Sequence, residues 1–298
     1  MKNFDLRLIL IVIGIAFISG CSDDPEPYVA DPIFVPNTDI TSQLHSYLTD
    51  GKRISLDEGT FYVSESIIVE GFCGIVEGHP NGKTRIEVSS GFKAAVDPSL
   101  NLEPGEKLTE IFAIYNASCD VTFQNLVFDI VEAAPAEEHE NPWLGTVTTI
   151  DNCVVVAAAI GAEINLTYRN LHINGNQSND AGAVNGRNLA WPLIGVGPES
   201  GNTKIHYRVD NCVVNNSGQV AIEFWRTIGG DGEIANNTII NSYSGVWIGP
   251  VTTATTVNIT DNVFTTIDNA CIVNDGPAKL CSRRNTLNGI AMDDNCPQ

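Results

Sequence analysis

Acidic side chains in an apolar run are the first residues of this sequence that point to chemistry. Glu223 lies in such a run, and Arg226 and Asp231 follow shortly after it. Glycoside hydrolysis uses two carboxyl groups, one protonated and one ionised, about 5 to 10 Å apart. Candidate partners for Glu223 are Asp231, Asp180 and the acidic run at 137–140. The alternative is that these are isolated surface carboxylates, because the chain has 36 acidic residues.

Uronate cleavage by a lyase is a second chemistry open to these residues. A lyase needs a base near the uronate carboxylate, and a cation or an arginine that neutralises that carboxylate. Arg226, Arg187 and His139 are candidates for these roles. Calcium is a candidate cofactor, because this ion prefers clustered oxygen ligands.

The four tryptophans favour a carbohydrate ligand. Trp191, Trp225 and Trp247 fall in three separate apolar segments, and Trp143 lies in a longer polar stretch. A tryptophan on the outer face of a sheet is costly unless something covers it, and flat indole faces stack on sugar rings. The alternative is that inserted loops fold over these rings as a small second core.

A repeat of asparagines positions these residues. The recurring residues are Asn125, Asn170, Asn211, Asn237, Asn262 and Asn285. The last four are 26, 25 and 23 residues apart, and each comes just before a short apolar run. A period of this length indicates units that bury their apolar faces only by stacking on one another.

These asparagines, with the short glycine-punctuated strands at 53–78, resemble the right-handed parallel β-helix of the pectate-lyase-like superfamily. The resemblance covers residues 38–298 and implies an all-β, single-stranded coil with three strands in each turn. It also implies one ligand-facing strand per turn, at 110–114, 153–157, 190–196, 220–225, 245–248, 270–273 and 289–292. A short amphipathic helix at 39–48 is predicted to cap the N-terminal end.

Strand alternation predicts which side chains face the ligand. If Ile222 and Phe224 point inward, Glu223 and Trp225 point outward. By the same rule, Trp247 points outward in the next turn. The sequence therefore predicts carboxyl and indole groups on one shared outer surface.

The chain departs from the catalytic motifs of this superfamily. A Gly-His-Gly motif of the polygalacturonase kind is missing, since Gly78-His79 is followed by Pro80. The arginine-rich strand of pectate lyases is missing as well. The activity of the family is therefore not carried over, and lyase, hydrolase and non-catalytic functions stay open.

The N-terminus has the features of an export signal. A charged start is followed by an apolar run at 8–17 and by Ile18-Ser19-Gly20-Cys21. This apolar run is too short for a membrane span. Ile18-Ser19-Gly20-Cys21 resembles the lipobox of bacterial lipoproteins, which implies a signal peptide at 1–20 and a lipid on Cys21. Residues 21–37 are predicted to be a flexible tether, and the protein an outer-membrane lipoprotein on the cell-surface or periplasmic side.

Charge and cysteine content limit the partners. The formal net charge of −20 disfavours nucleic acid and anionic lipid headgroups, and favours neutral ligands, cations or basic partners. The membrane is therefore expected to be contacted through the N-terminal lipid only. An exported protein permits disulfides, and Cys281 with Cys296 is the predicted pair.

Together these features predict a lipid-anchored protein that binds a polysaccharide, with cleavage of that polysaccharide as a further expectation. In an enzyme, Glu223, Asp231 and Arg226 would be the catalytic candidates. Trp143, Trp191, Trp225, Trp247, His139 and Arg187 would be the binding candidates. The alternative is a non-catalytic surface β-helix that joins its partners through an open C-terminal end.

Overall fold

The computed structural model describes residues 32–48, 52–93, 111–115, 117, 119–129, 139–141, 145–147, 154–156, 163–175, 194–196, 204–217, 220–224, 229–249 and 256–296. The predicted signal peptide at 1–20, Cys21 and the predicted tether up to residue 31 lie outside the described residues.

Within these ranges the chain forms one helix and 24 strands. The helix is α1 (Thr41–Tyr47). The strands are β1 (Lys52–Leu56), β2 (Gly59–Glu65), β3 (Ile67–Glu70), β4 (Gly74–Gly78), β5 (Thr84–Lys93), β6 (Phe112–Tyr115), β7 (Val121–Gln124), β8 (Val127–Asp129), β9 (His139–Asn141), β10 (Gly145–Val147), β11 (Val154–Val156), β12 (Glu163–Arg169), β13 (His172–Asn174), β14 (Ile194–Val196), β15 (Lys204–Asp210), β16 (Val213–Asn215), β17 (Val220–Phe224), β18 (Asp231–Ala235), β19 (Thr238–Ile248), β20 (Thr256–Thr260), β21 (Val263–Asn274), β22 (Lys279–Arg283), β23 (Thr286–Leu287) and β24 (Ile290–Ala291).

Parallel pairing arranges most of these strands in three stacks. The first stack has the order β1-β4-β7-β12-β15-β18-β20-β22. The second stack is β2-β5-β8-β13-β16, continued by the N-terminal parts of β19 and β21. The third stack is β3-β6-β11-β14-β17, continued by the C-terminal parts of β19 and β21. The chain is therefore predominantly β with parallel sheets, as the sequence predicts.

An apolar core lies where the inner faces of the three stacks meet. In β12, alternate residues such as Ile164 and Tyr168 are buried, because strand side chains alternate between faces. Phe112 of the third stack packs edge-on against Phe123 of the first and Phe128 of the second, with ring centroids 5.4 and 6.1 Å apart. One aromatic ring from each stack therefore joins the same cluster.

The corner between the first and second stacks contains two rows of residues, one position apart in the chain. The outer row has left-handed backbone angles, with φ between 52° and 58°, and consists of Asn125, Asn170, Asn211, Asn236, Asp261 and Arg284. The inner row is buried and consists of Leu126, Leu171, Cys212, Asn237, Asn262 and Asn285.

The prediction of a single asparagine series is wrong by one residue. Asn211 belongs to the outer row and aligns with Asn236, whereas Asn237 belongs to the inner row. Asparagine suits both rows for different reasons. On the outside it tolerates left-handed backbone, and on the inside its amide bonds buried backbone groups. Spacing alone cannot separate the two rows.

The inner row forms a hydrogen-bonded amide ladder in its later members. The backbone N and Nδ2 of Asn237 donate to Asn262 Oδ1 at 2.9 and 3.0 Å. Asn262 donates in the same way to Asn285 Oδ1 at 2.9 and 3.0 Å. Because Asn237, Asn262 and Asn285 are buried, these bonds satisfy polar groups that water does not reach.

The N-terminal end is covered by apolar residues. Helix α1 packs against β2 and β3, and its Leu44 is fully buried. Phe34, inside the predicted tether, is also in the core and contacts the ring of Tyr47 edge-on at 6.2 Å. The packed part of the chain therefore includes Phe34.

The C-terminal end reverses direction instead of adding another parallel strand to the third stack. Asn288 and Gly289 both have positive φ, at 50° and 78°, which is the geometry of a two-residue hairpin turn. β24 therefore pairs antiparallel with β23, and the prediction of a ligand-facing strand at 289–292 is wrong. Farther on, Asn295 bridges to Ser282 of β22, and the predicted Cys281–Cys296 disulfide is confirmed. The C-terminal end is thus partly covered rather than open.

Candidate functional site

One register row of the third stack contains the side chains best suited to ligand binding or catalysis. Its members are Ile68, Ala113, Val155, Gly195, Glu223, Trp247 and Val273, and we call it the Glu223 row. Six of the seven predicted ligand-facing segments overlap the strands that supply this row. The third stack therefore aligns Glu223 and Trp247 on adjacent strands.

Glu223 faces outward but is buried. Its neighbours Ile222 and Phe224 are fully buried members of the core, so alternation directs Glu223 to the opposite face, as predicted. Only 6% of the residue is exposed, which rules out an ordinary surface carboxylate. Among the described residues the carboxyl group has no hydrogen-bond or ion-pair partner, and burial raises its pKa to about 8. At neutral pH it is therefore mainly a neutral carboxylic acid.

Glu77 shows that the same chain can satisfy a buried carboxylate. Arg53 Nε and Nη2 donate to the two Glu77 oxygens at 2.6 and 2.9 Å. Ser55 and Gln124 each add a donor at 2.8 Å. Burial opposes the ionisation of Glu77, but these donors outweigh it and lower the pKa. A buried carboxyl group without such donors, as at Glu223, is typical of a functional site.

Trp247 lies beside Glu223 on the next strand, β19. The indole is half-buried, while its neighbours Val246 and Ile248 are fully buried in the core, so the ring belongs to the outer face as predicted. Trp247 Nε1 donates to Asp275 Oδ2 at 2.7 Å. Asp275 follows β21, one strand farther along the stack, and fixes the orientation of the ring.

Asp275 is a site residue that sequence reasoning missed. It is exposed, and it accepts the hydrogen bond of Trp247, the residue paired with Glu223 on the neighbouring strand. A signal was present, because the predicted ligand-facing segment 270–273 leads directly into Asn274-Asp275-Gly276. Only the register shows that this turn reaches Trp247.

The Glu223 carboxyl group and the Trp247 indole together could bind a ligand. Adjacent strands lie about 4.8 Å apart, so the Glu223 carboxyl group and the Trp247 indole are neighbours on one surface. On the other side of Glu223 the row continues with Gly195, which has no side chain. A neutral carboxyl group donates a hydrogen bond or a proton, and an indole offers a flat apolar face. The pair suits a ligand with both oxygen atoms and an apolar ring face.

Asp231, predicted as a catalytic partner of Glu223, lies elsewhere. It begins β18 in the first stack, where its carboxylate contacts His206 Nδ1. Glu223 is in β17 of the third stack, and the described partner of Asp231 is His206. The structure therefore does not bring this predicted pair together.

The other predicted site residues give no side-chain geometry. Trp143, Trp191, Trp225, Arg187 and Arg226 lie outside the described residues. His139 is in β9, which pairs antiparallel with β10 in a separate two-stranded sheet.

Comparison with known proteins finds no matching family model, no matching curated protein and no matching solved structure. In the described part of the chain, no group of three or more His, Cys, Asp and Glu side chains is arranged to hold a metal ion, including the calcium considered above. The helix described, α1, is not long and apolar enough to cross a membrane.

Proposed function

We propose that this protein binds a polysaccharide on the outer face of the third stack, at the Glu223 row. The observation that carries the proposal is the buried Glu223 carboxyl group, which has no partner among the described residues, in register with the half-buried Trp247 indole. The carboxyl group would donate to a sugar oxygen, and the indole would stack on the apolar face of the ring.

We also propose that the three stacks form a right-handed parallel β-helix similar to the pectate-lyase-like superfamily. Successive visits of the chain to the first, second and third stacks support this proposal, as in β12-β13-β14 followed by β15-β16-β17. The proposed location is the outer membrane, on its cell-surface or periplasmic side, through a lipid on Cys21 of the sequence Ile18-Ser19-Gly20-Cys21.

A neutral glycan is the favoured ligand class. The formal net charge of −20 repels anionic chains, and it gives nucleic acid no favourable surface. Basic side chains at the site would change this preference, and none is in the Glu223 row.

Binding is tested with the purified protein on immobilised neutral and acidic polysaccharides. Trp247→Ala should lower the affinity for the retained glycan about five- to tenfold, because a stacking contact is worth about 1 kcal/mol. Tyr47→Ala, which removes a partly exposed aromatic ring at the N-terminal helix, is the matched control and should retain the glycan fully. Equal retention by both variants would exclude the Glu223 row as the binding surface.

Glycan cleavage is the second proposal, with Glu223 as the proton donor. Hydrolysis also needs a second carboxyl group, and Asp275 is the described candidate on this surface. Glu223→Gln should abolish the release of reducing ends while glycan retention persists, since an amide cannot supply the proton. Ultraviolet absorbance from unsaturated products would identify a lyase instead.

The non-catalytic alternative is supported by the absence of a charged group that acts on Glu223 among the described residues. Retention by wild type without reducing ends or absorbance would establish a binding module. Absence of retention on every glycan would reject the polysaccharide proposal itself.

A further inference from the structure

A histidine on the first stack contacts two carboxylates from two neighbouring strands. His206 lies on the outer face of β15, between the buried residues Ile205 and Tyr207. Its Nδ1 faces Asp231 Oδ1 at the start of β18, and its Nε2 faces Glu163 Oε1 at the start of β12. One imidazole ring thus connects three consecutive strands of the stack.

This geometry requires the charged form of the ring. A carboxylate oxygen only accepts hydrogen bonds, so both ring nitrogens must carry protons to satisfy Glu163 and Asp231. A neutral imidazole has one N–H and would turn a lone pair toward one of the two carboxylates. Loss of the proton therefore replaces an attraction by a repulsion.

Among the described neighbours, His206 is the side chain that pairs as a cation with both Glu163 and Asp231. The charged groups that face the cluster from β12, β15, β18 and the segment before β7 are Glu163, Lys204, Arg208, Asp231, Glu233 and Asp120. Arg208 is paired with Asp210 and Glu233, and Asp120 accepts hydrogen bonds from Asn165. Within the described residues, Lys204 makes no ion pair with either carboxylate.

The backbone directly before β18 is packed closely against β15, beside His206. Gly229 and Gly230 both have positive φ, and a Cβ at Gly230 would overlap the carbonyl oxygen of Ile205. Asp231 follows directly, so its contact with His206 holds the first residue of β18 against β15.

We propose that His206 is a pH-dependent clamp that joins β12, β15 and β18 while its ring is charged and releases the start of β18 when the ring loses its proton. The hydrogen bond that the ring donates to Asp231 is the main cause that raises the pKa of His206 above the ordinary value of 6.5, and the bond that it donates to Glu163 adds to it. The stabilisation is therefore complete below pH 6.5 and is lost as the pH rises through the raised pKa. The clamp does not depend on any glycan.

Titration of the histidine ring protons by NMR in the folded protein tests the clamp directly. The midpoint of His206 should lie above 6.5 in wild type, and Asp231→Asn and Glu163→Gln should each lower it. A wild-type midpoint at or below 6.5, or one that neither substitution moves, would overturn the proposal.

Thermal unfolding provides the second test. Because Glu223 also makes stability depend on pH, the measurement uses a Glu223→Gln background. His206→Gln should lower Tm more at pH 6 than at pH 9, whereas His172→Gln, an exposed histidine of β13, controls for loss of a surface imidazole. An equal loss of Tm at both pH values for His206→Gln would show an ordinary packing contact and would contradict the clamp.

Discussion

Two buried carboxyl groups, Glu77 in the first stack and Glu223 in the third, have opposite environments. Glu77 accepts hydrogen bonds from Arg53, Ser55 and Gln124, and its pKa is lowered. Glu223 has a similarly low exposure, at 6% against 9%, but it lies deeper in the protein and has no described partner, and burial raises its pKa. Depth of burial and the supply of hydrogen-bond donors together therefore determine the charge of a carboxyl group in this fold.

The corner between the first and second stacks resembles Glu77 in this respect. Its buried amides Asn237, Asn262 and Asn285 are bonded to one another and to backbone carbonyl groups. At this corner the fold supplies partners for its buried amides. Glu223, for which the described residues supply no partner, destabilises the fold when charged, which favours a role in ligand binding or catalysis.

The largest effect on the free energy of unfolding is expected from removing the Glu223 charge. Its folded pKa of about 8 is above the ordinary value of 4.5, so stability should fall as the pH rises from about 4.5 to about 8. At pH 9 the cost is about 4–5 kcal/mol, since one pKa unit corresponds to about 1.4 kcal/mol. Glu223→Gln should therefore raise the free energy of unfolding at pH 9 and leave it nearly unchanged at pH 4.5.

Urea denaturation at the two pH values measures this difference. Both proteins carry His206→Gln, which removes a second group with a shifted pKa. If Glu223→Gln then leaves stability as pH-sensitive as in its parent, Glu223 is solvated or partnered.

A somewhat smaller effect is expected at the corner. Asn262→Leu removes an acceptor from Asn237 and a donor to Ile234 O, and leaves these buried groups unpaired. The cost should be about 3 kcal/mol, because each buried unsatisfied group costs about 1–3 kcal/mol. Asn258→Leu, at an exposed position of β20, is the matched control and should stay within about 0.5 kcal/mol of wild type. Similar denaturation midpoints for the two variants would mean that the ladder adds no stability.

The same substitution at Glu77 should act in the opposite direction from that at Glu223. Glu77→Gln replaces charge-assisted hydrogen bonds by weaker ones and should cost about 1–2 kcal/mol at pH 7. Because the folded pKa of Glu77 is lowered, its stabilisation is present above the ordinary pKa of 4.5 and is lost as the pH falls through the folded pKa. The loss measured by urea denaturation should thus shrink at acid pH. A gain in stability at pH 7 would remove the contrast with Glu223.

The stacking of strands could be predicted from the sequence because it depends on local pattern. Apolar runs and their period placed six segments that the third stack aligns in register, including those that contain Glu223 and Trp247. The seventh failed because Asn288-Gly289 is a hairpin signal, and turn chemistry there prevails over the repeat.

Contacts between neighbouring strands of a stack could not be predicted, because they depend on the register to a single residue. The asparagine series was displaced by one position between Asn211 and Asn237, and such a shift exchanges the inner and outer rows. The pairing of Asp231 with His206, rather than with Glu223, follows from the same register. Alternation gave the direction of Glu223 but not its burial, which depends on what covers the outer face.

The smallest effect is expected at Cys212, the first residue of the inner row that behaves like a ladder amide. Its backbone N donates to Asn237 Oδ1 at 2.9 Å, and its Sγ lies 3.6 Å from Tyr168 O. Asn237 and Asn262 direct Nδ2 to the equivalent carbonyls, Val209 O and Ile234 O. In Cys212→Asn, the Nδ2 of the new side chain would therefore have Tyr168 O as an acceptor. The free energy of unfolding of this variant should remain within about 1 kcal/mol of wild type. If urea denaturation shows a loss of about 3 kcal/mol or more in the free energy of unfolding, the ladder geometry begins only at Asn237. The apolar corner at Leu126 and Leu171 would then exclude an amide at position 212.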